Sequence, residues 1–370
     1  MTDPPTDRTA AFFSSFPSRL NARVRQALQD SDADRYAPGL VSTITDYLDR
    51  PARYVRPQLV YAAARAYGDG AGDAAEAGDA AEAHELSAVT DLAVATEMLH
   101  VFALLHDDRI DTPCGAEEFS SETALLAGDL LYAAGYGLIA ETVERYRLPR
   151  EILVQVRRIA AQTVVGQAAD VTFRRTHGDR PTQAHLYHLY DVKTGLYTIA
   201  APLQIGALAA GADPREIELL QALALPLGRA FQMRDDVVDI TTAATTTDAI
   251  PPWELNLAVT YMHERARAGD ERTVRTRTQT PAIVSDRQIV AALDVRDLEQ
   301  YVGARIEELM DGAMRALDKL TLPADRRGQL RTDLEAILTS LTFPPPEANT
   351  VNHTYGPQQS HSQSQSRRRP

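Results

Sequence analysis

A single cysteine, Cys114, stands in 370 residues, so no disulfide can form within the chain and a reducing compartment is its natural setting. Positive charge is also in short supply. Thirty-eight Lys and Arg face 51 Asp and Glu, a formal net charge of −13. A protein that wraps nucleic acid carries a basic footprint, and one that docks on anionic lipid needs the same, so neither partner is expected. No unbroken apolar run reaches the roughly 18 residues that cross a bilayer, and no transmembrane segment is expected. The opening residues, MTDPPTDRTAAFFSSF, lack the basic-then-apolar order of a secretion signal, which leads to the expectation of a cytoplasmic protein. Strand-like alternation between hairpin signals is missing, as is any repeat of fixed period.

What remains is helical spacing almost throughout. With 44% hydrophobic residues the chain can bury one large core or two modest ones. Phe12, Phe13, Phe16, Leu20, Val24 and Leu28 space a helix over 8–30. A second helical stretch, 40–67, is broken by Pro51 and Pro57, with a loop expected from Asp49 to Pro57. Residues 68–83, GDGAGDAAEAGDAAEA, have no large apolar side chain and read as a flexible linker between helices. Helices are expected at 84–108, 122–145, from near Pro149 to 174, and at 183–190, 195–210 and 214–240, with a loop at 174–181. ITTAATTTDAIPP, 240–252, reads as a loop able to close over a site. Helices resume at 253–267, 286–320 and 323–341. The expectation is an all-α domain over 1–343 and a polar, disordered tail over 344–370.

Chemistry concentrates where an apolar run ends in acid. HVFALLHDDRID, residues 100–111, closes on Asp107, Asp108 and Asp111, and on a helix Asp107 and Asp111 share a face one turn apart. Asp235, Asp236 and Asp239 repeat the pattern after AFQM and Arg234. One such cluster is ordinarily a solvated helix end. Two matched clusters suit Mg²⁺, a hard cation that takes one or two carboxylates and fills its remaining positions with water and substrate phosphate.

His100, the two clusters, Gly128–Asp129, Gly166–Asp170 (GQAAD), Lys193–Gly195 (KTG) and Phe231–Asp239 (FQMRDDVVD) fall in one order along the chain. In that order they resemble the trans-isoprenyl diphosphate synthase (polyprenyl synthetase) family, over roughly residues 15–340. The resemblance implies an antiparallel helical bundle of the isoprenoid synthase type around a deep apolar cavity, with the clusters facing each other across its mouth. It implies a prenyltransferase that ionises an allylic prenyl diphosphate with the help of about three Mg²⁺ ions, which neutralise the leaving pyrophosphate while a dry cavity protects the cation. It makes Asp107, Asp111 and Asp235 the expected direct metal ligands, with Asp239 also counted in the metal set and Asp108 and Asp236 in the catalytic one. Lys193 resembles a contact to the leaving diphosphate. Thr194 and Gln232 resemble residues that steady the reacting ends, Gln167, Tyr197, Phe231 and His100 are counted with them in the substrate-binding set, and Asp170 resembles a polar group turned toward the metals. Phe102, five positions before the first Asp, and Ala103, one turn below it, would limit the prenyl tail to about fifteen to twenty carbons. The resemblance also implies a homodimer.

The family grips its second substrate, isopentenyl diphosphate, with basic residues in three places. In the first, a Gly-Gly-Lys-x-x-Arg-Pro pattern, this chain has Pro51-Ala52-Arg53-Tyr54-Val55-Arg56-Pro57. Arg53 and Arg56 keep the charge, but the glycines that let backbone approach a phosphate are gone. Residues 112–128 hold no Lys or Arg where the family has a pair of arginines, and 240–262 hold none where it has lysines. Each charge-assisted bond lost is worth roughly 1.5–3 kcal/mol. The acceptor is therefore expected to be either isopentenyl diphosphate, weakly used, or a group without a diphosphate, such as an indole ring. Arg109, Arg174, Arg175 and Arg229 are the candidates to replace the missing charge. A terpene cyclase on the same scaffold is the alternative, disfavoured because aromatics make up only 6% of residues. A non-catalytic regulatory subunit is disfavoured because all six aspartates are kept.

Overall fold

The computed structural model describes residues 6–68, 79–111, 121–175, 182–245 and 295–338, together with Leu257 and Tyr261, and at several helix ends, Asp111 and Asp239 included, the description stops at the backbone. Every regular element among these residues is a helix. In chain order they are α1 (Thr6–Asp30), α2 (Ala33–Tyr36), α3 (Pro38–Leu48), α4 (Val55–Tyr67), α5 (Asp79–Asp111), α6 (Ser121–Arg145), α7 (Glu151–Arg175) and α8 (Gln183–Tyr190). A π-helical segment (Asp191–Ala200) then leads directly into α9 (Ala201–Ala209), followed by α10 (Pro214–Thr245), α11 (Val295–Leu317) and α12 (Ala324–Leu338). The all-α reading of the sequence holds.

Two apolar cores share the load. Phe16, Leu20 and Val24 of α1 pack with Leu92, Met98 and Leu105 of α5 and with Leu131 and Ile139 of α6. The other core joins Leu196 and Ile199 of the π segment, Leu223, Leu227 and Met233 of α10, and Val302 and Leu317 of α11. Helix α4 sits between them, giving Leu59 and Ala63 to the second and Val60 and Ala64 to the first. Arg56 rides on its first turn and is thereby brought beside both α5 and the π segment.

Four boundaries differ from the expectation. Helix α4 begins at Val55, so Pro57 lies in its first turn, where the missing N–H has no intrahelical acceptor to lose. Tyr54, with φ of 52°, turns the preceding loop into that helix and rests its ring on Phe16, with centroids 5.0 Å apart. Helix α5 starts at Asp79, inside the expected linker, because residues 79–83 are the good helix formers Ala and Glu with Asp at the start. The break expected at 191–194 is filled by the π segment. Helix α10 runs on through 241–245, since extending an existing helix costs far less than starting one. The rest of the linker, the loops 176–181 and 246–252, the helix ends at 339–341 and the tail from 344 lie outside the described residues, as does most of 253–294.

Leu86–Ile110 and Glu122–Arg145 are long and apolar enough to cross a bilayer by length and composition alone, although polar residues such as Asp91 and Glu97 interrupt the first apolar run. In the first, 72% of the apolar window is buried against other helices, as befits a central core helix.

Candidate active site

The two aspartate clusters end up in contrasting surroundings. At the end of α5, Asp108 turns toward α3. Its Oδ2 accepts from the Tyr47 hydroxyl at 2.5 Å and from Arg50 Nη1 at 3.1 Å, and the Arg50 guanidinium lies over the Tyr47 ring at 3.6 Å. Burial, and then the bond to Asp108, raise the Tyr47 phenol well above its ordinary range, so it stays a donor. Asp107, one position earlier, is half-buried. On α10, Asp235 is half-exposed with Arg234 Nη2 at 3.6 Å from its Oδ1. Asp236 instead points inward. Its Oδ2 accepts from the Tyr190 hydroxyl and from the Leu257 backbone N–H at 2.9 Å, and its Oδ1 accepts from Gln232 Nε2 at 3.1 Å.

The π segment supplies the side chains between the clusters. Such irregular turns widen a helix and recur at functional sites. Here one puts Lys193, Thr194, Tyr197 and Thr198 where α4, α5, α7 and α10 meet. Lys193 Nζ is 2.8 Å from Asp170 Oδ2 on α7. Thr194 Oγ1 donates to Gln232 Oε1 at 2.9 Å, so a chain of bonds runs from Thr194 through Gln232 and Asp236 to Tyr190. Glycine makes that approach possible. A Cβ added at Gly228 would come within 2.3 Å of the Gly195 Cα, and one at Gly166 within 2.5 Å of a Val192 methyl. These glycines serve close packing between helices rather than backbone conformation.

Beneath Asp107, α5 turns a polar stripe inward. Arg56 Nη2 donates to Thr198 Oγ1 at 2.7 Å, and its guanidinium lies 4.8 Å from the centre of the Tyr197 ring. The Tyr197 hydroxyl donates to the Leu99 carbonyl at 2.9 Å. Around this pair three sealed polar atoms have no partner: Arg56 Nε, Glu97 Oε2 and His100 Nδ1. Burial pushes the Glu97 carboxyl up to about 7, with Arg56 pulling it back down. Burial first, and the Arg56 charge second, hold His100 well below its ordinary value, so its imidazole is neutral. Unsatisfied buried groups cost roughly 1–3 kcal/mol each, and a cluster of them is where a polar ligand or water belongs.

The remaining expected residues fall as follows. Arg53 lines a cavity of about 320 Å³ together with Val55, Gln58, Ala336 and Ile337. Phe102 turns toward α6, its ring 4.7 Å from His106 and 5.1 Å from Tyr132. Ala103, Gln167 and Phe231 are half-buried on α5, α7 and α10, with the Phe231 ring centre 5.9 Å from the Arg234 guanidinium carbon. Asp111 and Asp239 continue the same two helices, and their side chains lie outside the description. Of the four arginines expected to replace missing charge, Arg229 is taken. It makes two bonds of 2.6 Å to Asp191 and stacks on Tyr187. The side chains of Arg174 and Arg175 are outside the description.

Sequence reasoning missed Glu97, Tyr47, Arg50, Tyr190 and Arg234. Only Glu97 announced itself, as an acid inside the apolar run LAVATEMLHVFALL.

Among the described residues no three carboxylate, imidazole or thiol groups converge to hold a metal. The donor chemistry nonetheless fits Mg²⁺. Asp107 and Asp235 offer hard carboxylate oxygens at least partly open to solvent, while Asp108 and Asp236 are turned to protein donors.

This arrangement of helices and site residues has relatives. The polyprenyl synthetase family profile matches residues 38–250, more than half of the chain, and the chain belongs to that family. It is 34% identical over 148 residues to the geranylfarnesyl diphosphate synthase of Natronomonas pharaonis, a match covering 38% of this chain and 42% of that protein. It is 33% identical over 157 residues to the farnesyl diphosphate synthase of Geobacillus stearothermophilus, covering 38% and 51%. The chain thus spans about half, or less, of the length of these relatives. The fold is shared with geranylgeranyl pyrophosphate synthase from Corynebacterium glutamicum, solved with isoprenyl diphosphate and magnesium, at a TM-score of 0.65, 24% identity, and 88% and 98% coverage of the two chains.

Proposed function

We propose that this protein is a Mg²⁺-dependent prenyltransferase that extends an allylic prenyl diphosphate by condensing it with isopentenyl diphosphate. The observation that carries this is the inward stripe of Arg56, Glu97 and His100, whose unpartnered atoms await a polar ligand beside Tyr197. The names of the relatives support the same reaction. Asp107 and Asp235, with Asp111 and Asp239, would hold Mg²⁺, which would neutralise the charge that develops on the leaving diphosphate. The chain's own groups do the rest. Asp170 holds the Lys193 ammonium in place for that diphosphate. Neutral His100 and charged Arg56 bind the second diphosphate. The Thr194–Gln232–Asp236 chain fixes the helix carrying the second cluster. Phe102 and Ala103 bound the tail, at about fifteen to twenty carbons, and keep water from the cation.

Leu126 on α6 and Val164 and Val165 on α7, 58%, 60% and 69% exposed, are apolar side chains that a partner could cover and support a homodimer. The lone cysteine supports a cytoplasmic setting. One observation favours a second reading: the absence of Lys and Arg from 112–128 and 240–262 fits an acceptor without a diphosphate, such as an indole ring. Incubation with Mg²⁺ and geranyl or farnesyl diphosphate, with and without isopentenyl diphosphate, decides between them. Longer diphosphates made only with isopentenyl diphosphate support elongation. Pyrophosphate release only on adding indole overturns it in favour of aromatic transfer, and a hydrocarbon from one substrate overturns it in favour of cyclisation.

A further inference from the structure

The basic residues missing from 112–128 and 240–262 leave the second diphosphate short of charge, and the structure offers a replacement that the pattern FQMRDD conceals. Arg234 is only 12% exposed, and its Nη1 is sealed from solvent with no hydrogen-bond partner. Its other terminal nitrogen reaches Asp235 only at 3.6 Å, too long for a hydrogen bond. The positive charge of Arg53, exposed at the start of α4, also acts against the charged form of Arg234. Arg53 in turn lines the open cavity at the start of α4. A buried guanidinium with one donor unmet, under the influence of a second positive charge, is a costly arrangement that an anion with several oxygens relieves.

We propose that Arg234, paired with Arg53, is a binding residue for the diphosphate of the second substrate and takes the place of the missing basic residues. The inference rests on the elongation reading above. It makes the second cluster bifunctional: Asp235 faces the leaving diphosphate, and the arginine beside it faces the incoming one. Phe231, with its ring near the same guanidinium, limits where that side chain can swing.

The test is calorimetric titration of the full chain with isopentenyl diphosphate in EDTA, which silences the metal-dependent allylic side. Wild type binds, and Arg234→Gln weakens the dissociation constant roughly tenfold to a hundredfold. Arg234→Lys recovers part of the loss. In turnover with Mg²⁺, Arg234→Gln raises KM for isopentenyl diphosphate by a similar factor and leaves KM for the allylic diphosphate within about threefold. Inorganic pyrophosphate as titrant tells a diphosphate pocket from one that also needs the isopentenyl tail, and in either case the loss in Arg234→Gln is required. Unchanged affinity in Arg234→Gln overturns the assignment, as does an equal loss for geranyl diphosphate. If wild type elongates while the variant binds normally, this assignment alone fails. If wild type ionises an allylic diphosphate but binds no isopentenyl diphosphate, the elongation reading fails with it. Should Arg234→Gln not fold, a crystal of wild type soaked with isopentenyl diphosphate replaces it. A phosphate oxygen within about 3.2 Å of Nη1 supports the assignment, and one beyond about 4 Å overturns it.

Discussion

Asp108 and Asp236 hold the same place in two copies of one pattern, yet they face opposite ways. Asp108 reaches across to Tyr47 and Arg50 and stays 36% exposed. Asp236 is 6% exposed and takes three donors from Tyr190, Gln232 and Leu257. In both, the middle aspartate anchors its helix to a neighbour. The difference is the anchor's medium, solvent in one case and protein interior in the other, and the energetic stakes differ accordingly.

The comparison breaks first if the leading aspartates are dispensable. Asp107→Ala or Asp235→Ala is expected to lower turnover at least about a hundredfold while circular dichroism stays unchanged. Near-normal rates in both variants, measured as pyrophosphate release, would remove the metal assignment.

Next come the anchors themselves. Asp236→Ala leaves the Tyr190 hydroxyl and the Leu257 N–H without their acceptor and is expected to cost about 3 kcal/mol of unfolding free energy. Asp108→Ala is expected to cost less than about 1 kcal/mol. Equal losses in denaturant melts would show that the two sites do not differ as described.

Glu97 sharpens the contrast, because it is a buried carboxyl whose Oε2 has no donor. Its folded value of about 7 against 4.5 unfolded means the folded chain binds the proton more tightly. Its stabilising contribution is therefore complete below about pH 4.5 and lost as pH rises through about 7. Glu97→Gln should flatten that part of the stability profile, by up to about 3 kcal/mol across the window. A variant whose melting temperature tracks wild type at every pH would place the group in contact with water. The smallest effect is at Tyr47→Phe, which removes a donor to a half-exposed carboxylate that also accepts from Arg50 and is expected to cost at most about 1 kcal/mol.

Much of the scaffold was legible because periodic apolar spacing is a local signal. The stripe of Phe12, Phe16, Leu20 and Val24 that predicts α1 is the stripe that α1 buries. Which aspartates meet protein donors was not legible. Tyr47 lies 61 residues from Asp108, and Tyr190 lies 46 from Asp236, and nothing in either neighbourhood marks the pairing. Arg234 was hidden for a different reason. It reads as a spacer in front of two aspartates, and only the fold shows it buried with one of its nitrogens unmet. The break expected near Lys193 was half right. The chain does depart from α geometry there, but by widening rather than stopping.

That widening sets the phase of everything after it. Were the Asp191–Ala200 stretch to relax to an ordinary helix, each of its ten residues would turn about 100° about the axis rather than the smaller angle of a π-helix, and α9 would be rotated. Leu203 and Ile205, now seated in different cores, would both be unseated by that rotation. The irregular turn that aims Lys193 therefore cannot be tidied into an ordinary helix of the same length, because the molecule's two halves keep time by it.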